Sequence, residues 1–486
     1  MNASLEVRAI DSISVRQPIL AVDLDRTLVR TDLLLESTLE LLTQRPWFIF
    51  MLPFWWMRGR AYLKQEVARR VSLDVAVLPY ENELLAYLKQ RRAEGCALVL
   101  ATAADQRIAR QVADHLNLFD RVLASDGVTN LTGRAKRDRL VCEFGKNGFA
   151  YAGNSRRDLP VWACAQRAIV VDSGGQISSC VKSVVTIDRI FRSSSPGFFV
   201  WLKALRPQHW AKNLLLFAPL LAAHRIGELP LLSKLVVAVL AFACVTSSGY
   251  LINDLHDLNV DRHHPHKRQR PFAAGDLPLS YGLVMSPILF GLACLLGNAI
   301  SSLLLTSVVT YFGLSLTYSL FVRRIVILDV IFLAGLYTTR IFAGSAAVAI
   351  WPSHWLLALS TFLFLSLALV KRYGELCLRK RSDGDHAKAR GYDLSDAELL
   401  AAMGVASGYL AVLVLALYIN SDKAAALYDR YQLIWLLCPL LLYWISHVWL
   451  IAHRGKMPDD PVVFTMEDRT SRILILLMIA IGVLAL

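Results

Sequence analysis

Residues 253–275 read Asn-Asp-Leu-His-Asp-Leu-Asn-Val-Asp-Arg-His-His-Pro-His-Lys-Arg-Gln-Arg-Pro-Phe-Ala-Ala-Gly. Asp254, Asp257 and Asp261 are spaced i, i+3 and i+7. On a helix at about 100° per residue they fall within about 60° of one another, on one face. Carboxylates held this close repel one another unless a cation sits among them. Arg262, Lys267, Arg268 and Arg270 follow at once, as expected where an anionic ligand bridges that cation to the protein. Apolar runs precede and follow the stretch. The pattern predicts a magnesium–diphosphate site at the mouth of a membrane helix bundle.

Composition sets the frame. The chain has 486 residues, 55% of them hydrophobic and 19% charged. That is too apolar for a soluble protein and too charged for a membrane protein throughout, so a soluble part joined to a membrane part is expected. The net charge of +13 fits basic cytoplasmic loops; no long basic tract points to nucleic acid. None of the eight Cys residues forms a CxxC pair, and several lie in apolar runs, so they read as reduced, buried small residues. The opening MNASLEVRAIDSISVRQP has no apolar h-region, so the N-terminal domain is expected to stay in the cytoplasm.

In the first part, Pro18–Asp23 is a short apolar run ending in charge, the pattern of a buried parallel strand. Ala97–Ala101, Arg121–Ala124, Phe149–Ala152 and Ala168–Val171 repeat it, with helical stretches such as Glu81–Arg92 and Arg107–Leu116 between. The alternation predicts an α/β domain with a parallel, Rossmann-like sheet. Polar residues gather just past the strand ends. Asp23 and Asp25 lie in a DxDxT segment, Thr102 ends the strand ALVLAT, Lys136 follows Gly133, and Asn154 and Asp158 lie in GNSRRD. These four motifs resemble those of the haloacid dehalogenase (HAD) superfamily of phosphatases, over roughly residues 15–190. The resemblance implies Asp23 as nucleophile and Asp25 as acid and base. Thr102 and Lys136 would stabilise the phosphoryl oxygens. Magnesium would be held by Asp23, Asp25, Asn154 and Asp158. Asn154 stands where the family carries an acid, and Asp158 one turn on could compensate. A docking or regulatory domain without catalysis is the alternative.

The insert between the first two motifs, about residues 32–95, is expected to be a small helical cap. It contains PWFIFMLPFWWM, Pro46–Met57, followed by Arg58, Arg60 and Lys64. Twelve residues are too few to span a bilayer. An aromatic surface dipping into the membrane interface, with Trp55 and Trp56 at its centre, is expected over a packed cap core.

Residues 1–192 are thus read as the soluble domain, 193–197 as a Ser/Pro/Gly linker, and 198–486 as an all-α polytopic membrane domain. Apolar segments near 198–223, 231–252, 282–301, 303–321, 325–349, 354–370, 397–419, 432–452 and 472–486 give about nine transmembrane helices. Basic residues crowd the loops at 262–270, 323–324, 371–390 and 454–472. The positive-inside rule makes those loops cytoplasmic, with the soluble domain on the same side of an inner membrane.

The Asn253–Asp261 segment matches NDxxDxxxD and resembles the UbiA prenyltransferase superfamily. Leu205–Asn213 (LRPQHWAKN), Asp261–Gly275, Tyr318–Val330, Lys371–Glu375, Arg390–Tyr392 and Asp460–Phe464 resemble one branch, the decaprenyl-phosphate phosphoribosyltransferases. The second DxxxD motif of the aromatic prenyltransferases is represented only by Asp329. The branch resemblance implies transfer of 5-phosphoribosyl from phosphoribosyl diphosphate to a polyprenyl phosphate. Asp254, Asp257 and Asp261 would hold magnesium, with Asn253 in support. Arg262, Lys267 and Arg270 would meet the diphosphate. Tyr318, Arg324, Asp329, Arg340 and Lys371 would bind the ribose phosphate or the lipid phosphate. The phosphatase would then remove the 5-phosphate, yielding a polyprenyl-phosphoryl-ribose for cell-envelope glycans. A polyprenyl diphosphate donor with an aromatic acceptor is the alternative. The expected partners are these two substrates and the lipid bilayer, not nucleic acid; a homo-oligomer stays open. His263, His264 and His266 read as a polar loop rather than a metal site. Intramembrane Arg340 is expected to face a polar cavity.

Overall fold

The computed structural model describes residues 18–172, 175–192, 196–381, 391–458 and 460–485. Residues 193–195 of the expected linker, Asp383–His386 and Arg390 lie outside them, as do the side chains of Arg379–Arg381. The chain divides into two compact units. The first holds the residues up to Ala204 together with Leu251–Val284, and the second holds Leu205–Tyr250 together with Met285–Leu486. The aspartate-rich stretch therefore packs with the N-terminal residues.

The first unit is built on six parallel strands: β1 (Ile19–Val22), β2 (Ala97–Asp105), β3 (Arg121–Ser125), β4 (Ala150–Gly153), β5 (Ala168–Val171) and β6 (Ile187–Phe191), in the order β3-β2-β1-β4-β5-β6. Successive side chains of a strand point to opposite faces. Leu20 and Val22 of β1 accordingly enter one core with Leu98, Leu100 and Ile169. Ala21 enters a second core with Val99, Tyr151 and Val170. A strand buried on both faces must be apolar at every position, which is why these runs lack alternation. β6 was not expected. Its middle residues Asp188, Arg189 and Ile190 are exposed at the sheet edge, so IDRIF carries little apolar signal.

β1 is central, and the chain leaves it to β2 on one side and returns to β4 on the other. The crevice at the carboxyl ends of β1 and β4 is thus a topological switch point, where open α/β sheets place ligands. Between β1 and β2 lies the expected helical insert, with helices Leu33–Gln44, Leu52–Met57 and Arg60–Ala68 and a 3-10 turn Pro46–Phe50. Asp32 caps the first of these by accepting the N–H groups of Leu34 and Leu35, both at 3.1 Å. Trp55, expected at the membrane, is buried instead. Its ring lies 5.6 Å from Phe48 and under the Arg70 guanidinium at 4.8 Å.

Among the described residues seven helices are long and apolar enough to cross a membrane, Leu229–His256, Leu279–Ile300, Ser302–Arg324, Leu328–Val348, His354–Leu378, Leu394–Ile419 and Tyr431–His453. The other two of the nine expected segments do not form helices of that length. The segment at 198–223 is broken into Phe198–Leu205, a 3-10 stretch Pro207–Phe217 and Ala218–Ala222. Pro207 lacks an N–H and disfavours helix in the residue before it, and Arg206 takes φ 54° there. The final helix, Arg469–Ala485, has 17 residues. At 1.5 Å per residue it covers about 26 Å, short of a hydrocarbon core of about 30 Å.

Within the second unit, helix Leu328–Val348 passes so close to the 3-10 stretch that a Cβ on Gly344 would meet the Leu216 carbonyl oxygen at 2.0 Å. Gly335, on the same helix, has open space there. Gly344→Ala is expected to lower the unfolding temperature in detergent clearly. Gly335→Ala should leave it unchanged or raise it, since alanine gains about 1 kcal/mol over glycine inside a helix. Equal effects would remove close packing as the reason for Gly344.

Candidate functional sites

The aspartate-rich stretch is almost one continuous helix. Leu229–His256 ends and Leu258–His263 begins at Asp257, yet the Asp257 N–H still bonds the Asn253 carbonyl at 2.9 Å, and the Asp261 N–H bonds the Asp257 carbonyl at 2.8 Å. The i to i−4 hydrogen bonds therefore run on through Asp257 and Asp261. Arg270 meets two of the acids: Nη1 lies 2.5 Å from Asp261 Oδ2 and 3.3 Å from Asp254 Oδ1. Burial pushes the Asp261 carboxyl above its usual range; the Arg270 charge pulls it back, and the Asp257 charge adds to the rise. Two carboxylates thus converge on one cation. Among the described residues no three His, Cys, Asp or Glu side chains are grouped to hold a metal. An acidic pair already sharing a cation has the donor chemistry a hard divalent ion needs. Lys267 is half-buried beside them, and the Asn253 side chain is half-buried one residue before Asp254.

Arg262 is placed differently from its expected role. Its guanidinium is buried and engages both oxygens of Glu36, in the insert helix Leu33–Gln44, and its Nε donates to the Ala273 carbonyl at 3.1 Å. Neighbouring contacts repeat the attachment. Thr43 Oγ1 lies 3.3 Å from His256 Nδ1, and His263 Nε2 lies 3.0 Å from Asp74 Oδ2. Gly275, at φ 74°, sits against Arg30 and Pro79. His264 Nδ1 faces the N–H groups of His266 and Lys267 at 3.3 Å. Sequence reading missed Glu36 because an acid in the first turn of a helix is ordinary; its partner is 226 residues away.

At the end of β1, the Asp23 N–H bonds the Ala152 carbonyl of β4 at 2.9 Å, which fixes the residue over the switch point. Lys136 Nζ, buried, donates to Asp23 Oδ1 at 2.8 Å and to the Tyr151 hydroxyl at 2.9 Å. Burial holds the Asp23 carboxyl above its usual range even beside that ammonium. Asp25 Oδ1 accepts the Leu33 N–H at 2.9 Å. Burial, helped by the charge of Asp32, pushes its carboxyl up to about 7. Thr102 is fully buried, and its hydroxyl accepts the Ala104 N–H at 3.0 Å.

Asp158 serves the loop around it. Oδ1 accepts from Tyr151 at 3.0 Å, and Oδ2 accepts from the Ser155 N–H and hydroxyl at 3.0 Å and from the Asn154 N–H at 3.3 Å. Two residues here escaped the sequence reading as site groups. Tyr151 hides in an apolar strand. Lys64 comes from the insert helix Arg60–Ala68 and donates to the Ala103 carbonyl at 2.6 Å and Asn130 Oδ1 at 2.9 Å. Burial lowers its ammonium below its usual range, and the charge of Asp25 acts against that.

In the second unit, Asp329 and Tyr318 come together on Arg372. The guanidinium pairs with Asp329, donates to the Tyr318 hydroxyl at 2.6 Å and reaches Glu375 at 2.8 Å; the Tyr392 hydroxyl donates to Asp329 at 2.6 Å. Arg340 is buried, with three nitrogens bonded to Tyr311 at 2.7 Å, the Leu336 carbonyl at 2.6 Å and Asn213 at 3.2 Å. Those partners all lie within the second unit. Lys371 is half-buried and Arg324 is exposed. Lys212 and Asp460 form a buried ion pair between two segments that had only been landmarks.

A parallel-sheet unit and, among the described residues, seven helices of spanning length, with an acidic pair closed by an arginine at the end of one of them, define a polytopic membrane architecture. The chain belongs to the UbiA prenyltransferase family, whose model matches residues 214–467, and it is an integral multi-pass membrane protein. An uncharacterized protein y4nM of Sinorhizobium fredii is 34% identical over 96% of this chain and 90% of its own length. Nodulation protein NoeC of Azorhizobium caulinodans is 37% identical over 57% of this chain and 91% of its own. Decaprenyl-phosphate phosphoribosyltransferase of Mycobacterium tuberculosis is 34% identical over 37% of this chain and 61% of its own.

The Glu36–Arg262 pair makes a direct test. Removing one partner of a buried ion pair leaves the other charge uncompensated, at a cost of roughly 3–5 kcal/mol. Glu36→Ala is expected to lower thermal stability on that scale, and the exchange E36R/R262E to recover part of the loss. An E36A protein as stable as the parent would show the pair to be incidental.

Proposed function

We propose that the chain is a magnesium-dependent membrane transferase that moves a 5-phosphoribosyl group from phosphoribosyl diphosphate to a polyprenyl phosphate. The observation that carries this is the convergence of Asp254 and Asp261 on a single cation, read with the 34% identity to decaprenyl-phosphate phosphoribosyltransferase. Magnesium held by Asp254, Asp257 and Asp261 would neutralise the diphosphate and improve it as a leaving group. Arg270 and Lys267 supply positive charge to the same anion. The C1–oxygen bond to diphosphate breaks, the diphosphate keeps the electron pair, and a lipid phosphate oxygen bonds to C1. That oxygen is already ionised, so no protein base is required. The active site is read as cytoplasmic, from the basic loops.

The N-terminal unit is proposed to be a HAD-like phosphatase acting on the 5-phosphate of the product. Asp23 attacks phosphorus, and Lys136, 2.8 Å away, offsets charge on the phosphoryl oxygens. Asp25, whose carboxyl burial pushes up to about 7, gives its proton to the departing ribose oxygen and afterwards takes one from water. Lys64 adds a cation from the insert. The full engagement of Asp158, with Asn154 in place of an acid, favours the second reading, a domain that docks without catalysis.

Membranes given labelled phosphoribosyl diphosphate and polyprenyl phosphate are expected to form lipid-soluble label with magnesium and none with chelator. Asp261→Asn should reduce that label about a hundredfold, the scale of losing a group that stabilises developing charge. Label requiring a prenyl diphosphate instead would establish prenyl transfer as the reaction. Asp23→Asn should leave transfer intact while the lipid product retains its 5-phosphate; an unchanged product profile ends the two-step reading. Lys64→Ala should raise KM for a soluble phosphomonoester several-fold with a smaller change in kcat.

A further inference from the structure

The insert between β1 and β2 displays an apolar surface that its own unit does not cover. Trp47 is 62% exposed, Phe50 74%, Phe54 63%, Trp56 57% and Met57 83%. All lie within Pro46–Met57, on one 3-10 turn and one short helix. The surface is held firmly from beneath. Trp55 is buried, Phe48 packs against it, and Arg70 lies over both rings. Aromatic side chains grouped at the surface of a folded unit mark an interaction site.

We infer that this surface inserts into the headgroup–acyl boundary of the bilayer that the chain itself spans. Three observations select lipid. From Leu41 to Gln65 the sequence has no acidic residue, while Arg45, Arg58 and Arg60 stand exposed around the apolar core. Arginines rimming tryptophan and phenylalanine suit anionic headgroups above acyl chains. Arg60 lies over the Trp56 ring at 5.2 Å and Arg58 over Tyr62 at 5.5 Å, so the charges stay at the edge. Finally, the same unit contains the last residues of span Leu229–His256 and the first of span Leu279–Ile300, so a membrane surface is always within its reach. Two turns of helix are too short to cross the bilayer, and they lie in its interface.

The insertion holds whatever reaction the unit performs. If the phosphatase reading is correct, it also sets the Asp23 site at the depth of a lipid-borne phosphate. The test uses the full-length protein in lipid nanodiscs of phosphatidylglycerol and phosphatidylethanolamine. A photoreactive phenylalanine analogue replaces Phe50, Phe54 or Met57, one at a time. Lys146, exposed in the loop leading into β4 at the opposite end of the strands from Asp23, is the control position. Lipid adducts several-fold above the Lys146 control are expected at all three sites, and fewer when phosphatidylglycerol is omitted. Adducts only to a second copy of the chain would make the surface a protein interface. Yields no higher than the control would leave it facing water. Either result overturns the inference, and Asp23→Asn assayed separately leaves it untouched.

Discussion

Carboxylates gathered at the end of an apolar helix can stay charged only if positive charge is set among them. The aspartate-rich stretch meets that constraint from its own sequence, because Arg270 folds back to Asp254 and Asp261. The first cation of the same run, Arg262, is turned the other way and meets Glu36. One arginine therefore completes the acidic site and another fastens that site to the insert helix. The basic run after Asp261 does two jobs.

The second consequence concerns how the N-terminal unit is used. Helix Leu33–Gln44 begins where the Leu33 N–H bonds Asp25 and carries Glu36 one turn later. A single short helix thus touches both acidic centres of the first unit. A change in charge at Asp25 would be felt first at the amino end of that helix, where the dipole favours negative charge. The insert also carries Lys64 towards Asp25 and the exposed aromatic residues outward.

Much of this was legible beforehand. Five of the six strands, the helical insert and the helix at 106–116 follow from short apolar runs and their spacing. The edge strand β6 escaped, because a strand exposed along most of its length need not be apolar. Of the nine apolar segments read from hydropathy, seven are helices of spanning length among the described residues; apolar content says nothing about the break that Pro207 imposes after Arg206. Trp55 and Trp56 look alike in sequence, yet one is core and the other surface. Adjacent residues on a helix point about 100° apart, and only the packing says which direction is inward.

The sequence by itself determined the two kinds of structure, the order of the strands along the chain, the acidic triplet with its helical phase, and the two carboxylates Asp23 and Asp25 two residues apart. These are local properties, set by spacing and by which residues can be buried. The tertiary structure alone decided which charge neutralises which. Arg262 with Glu36, Lys212 with Asp460, and Arg372 with Asp329 join residues that are 226, 248 and 43 positions apart. An ion pair depends on distance in space and on loss of water around both groups, and neither is written in the separation along the chain.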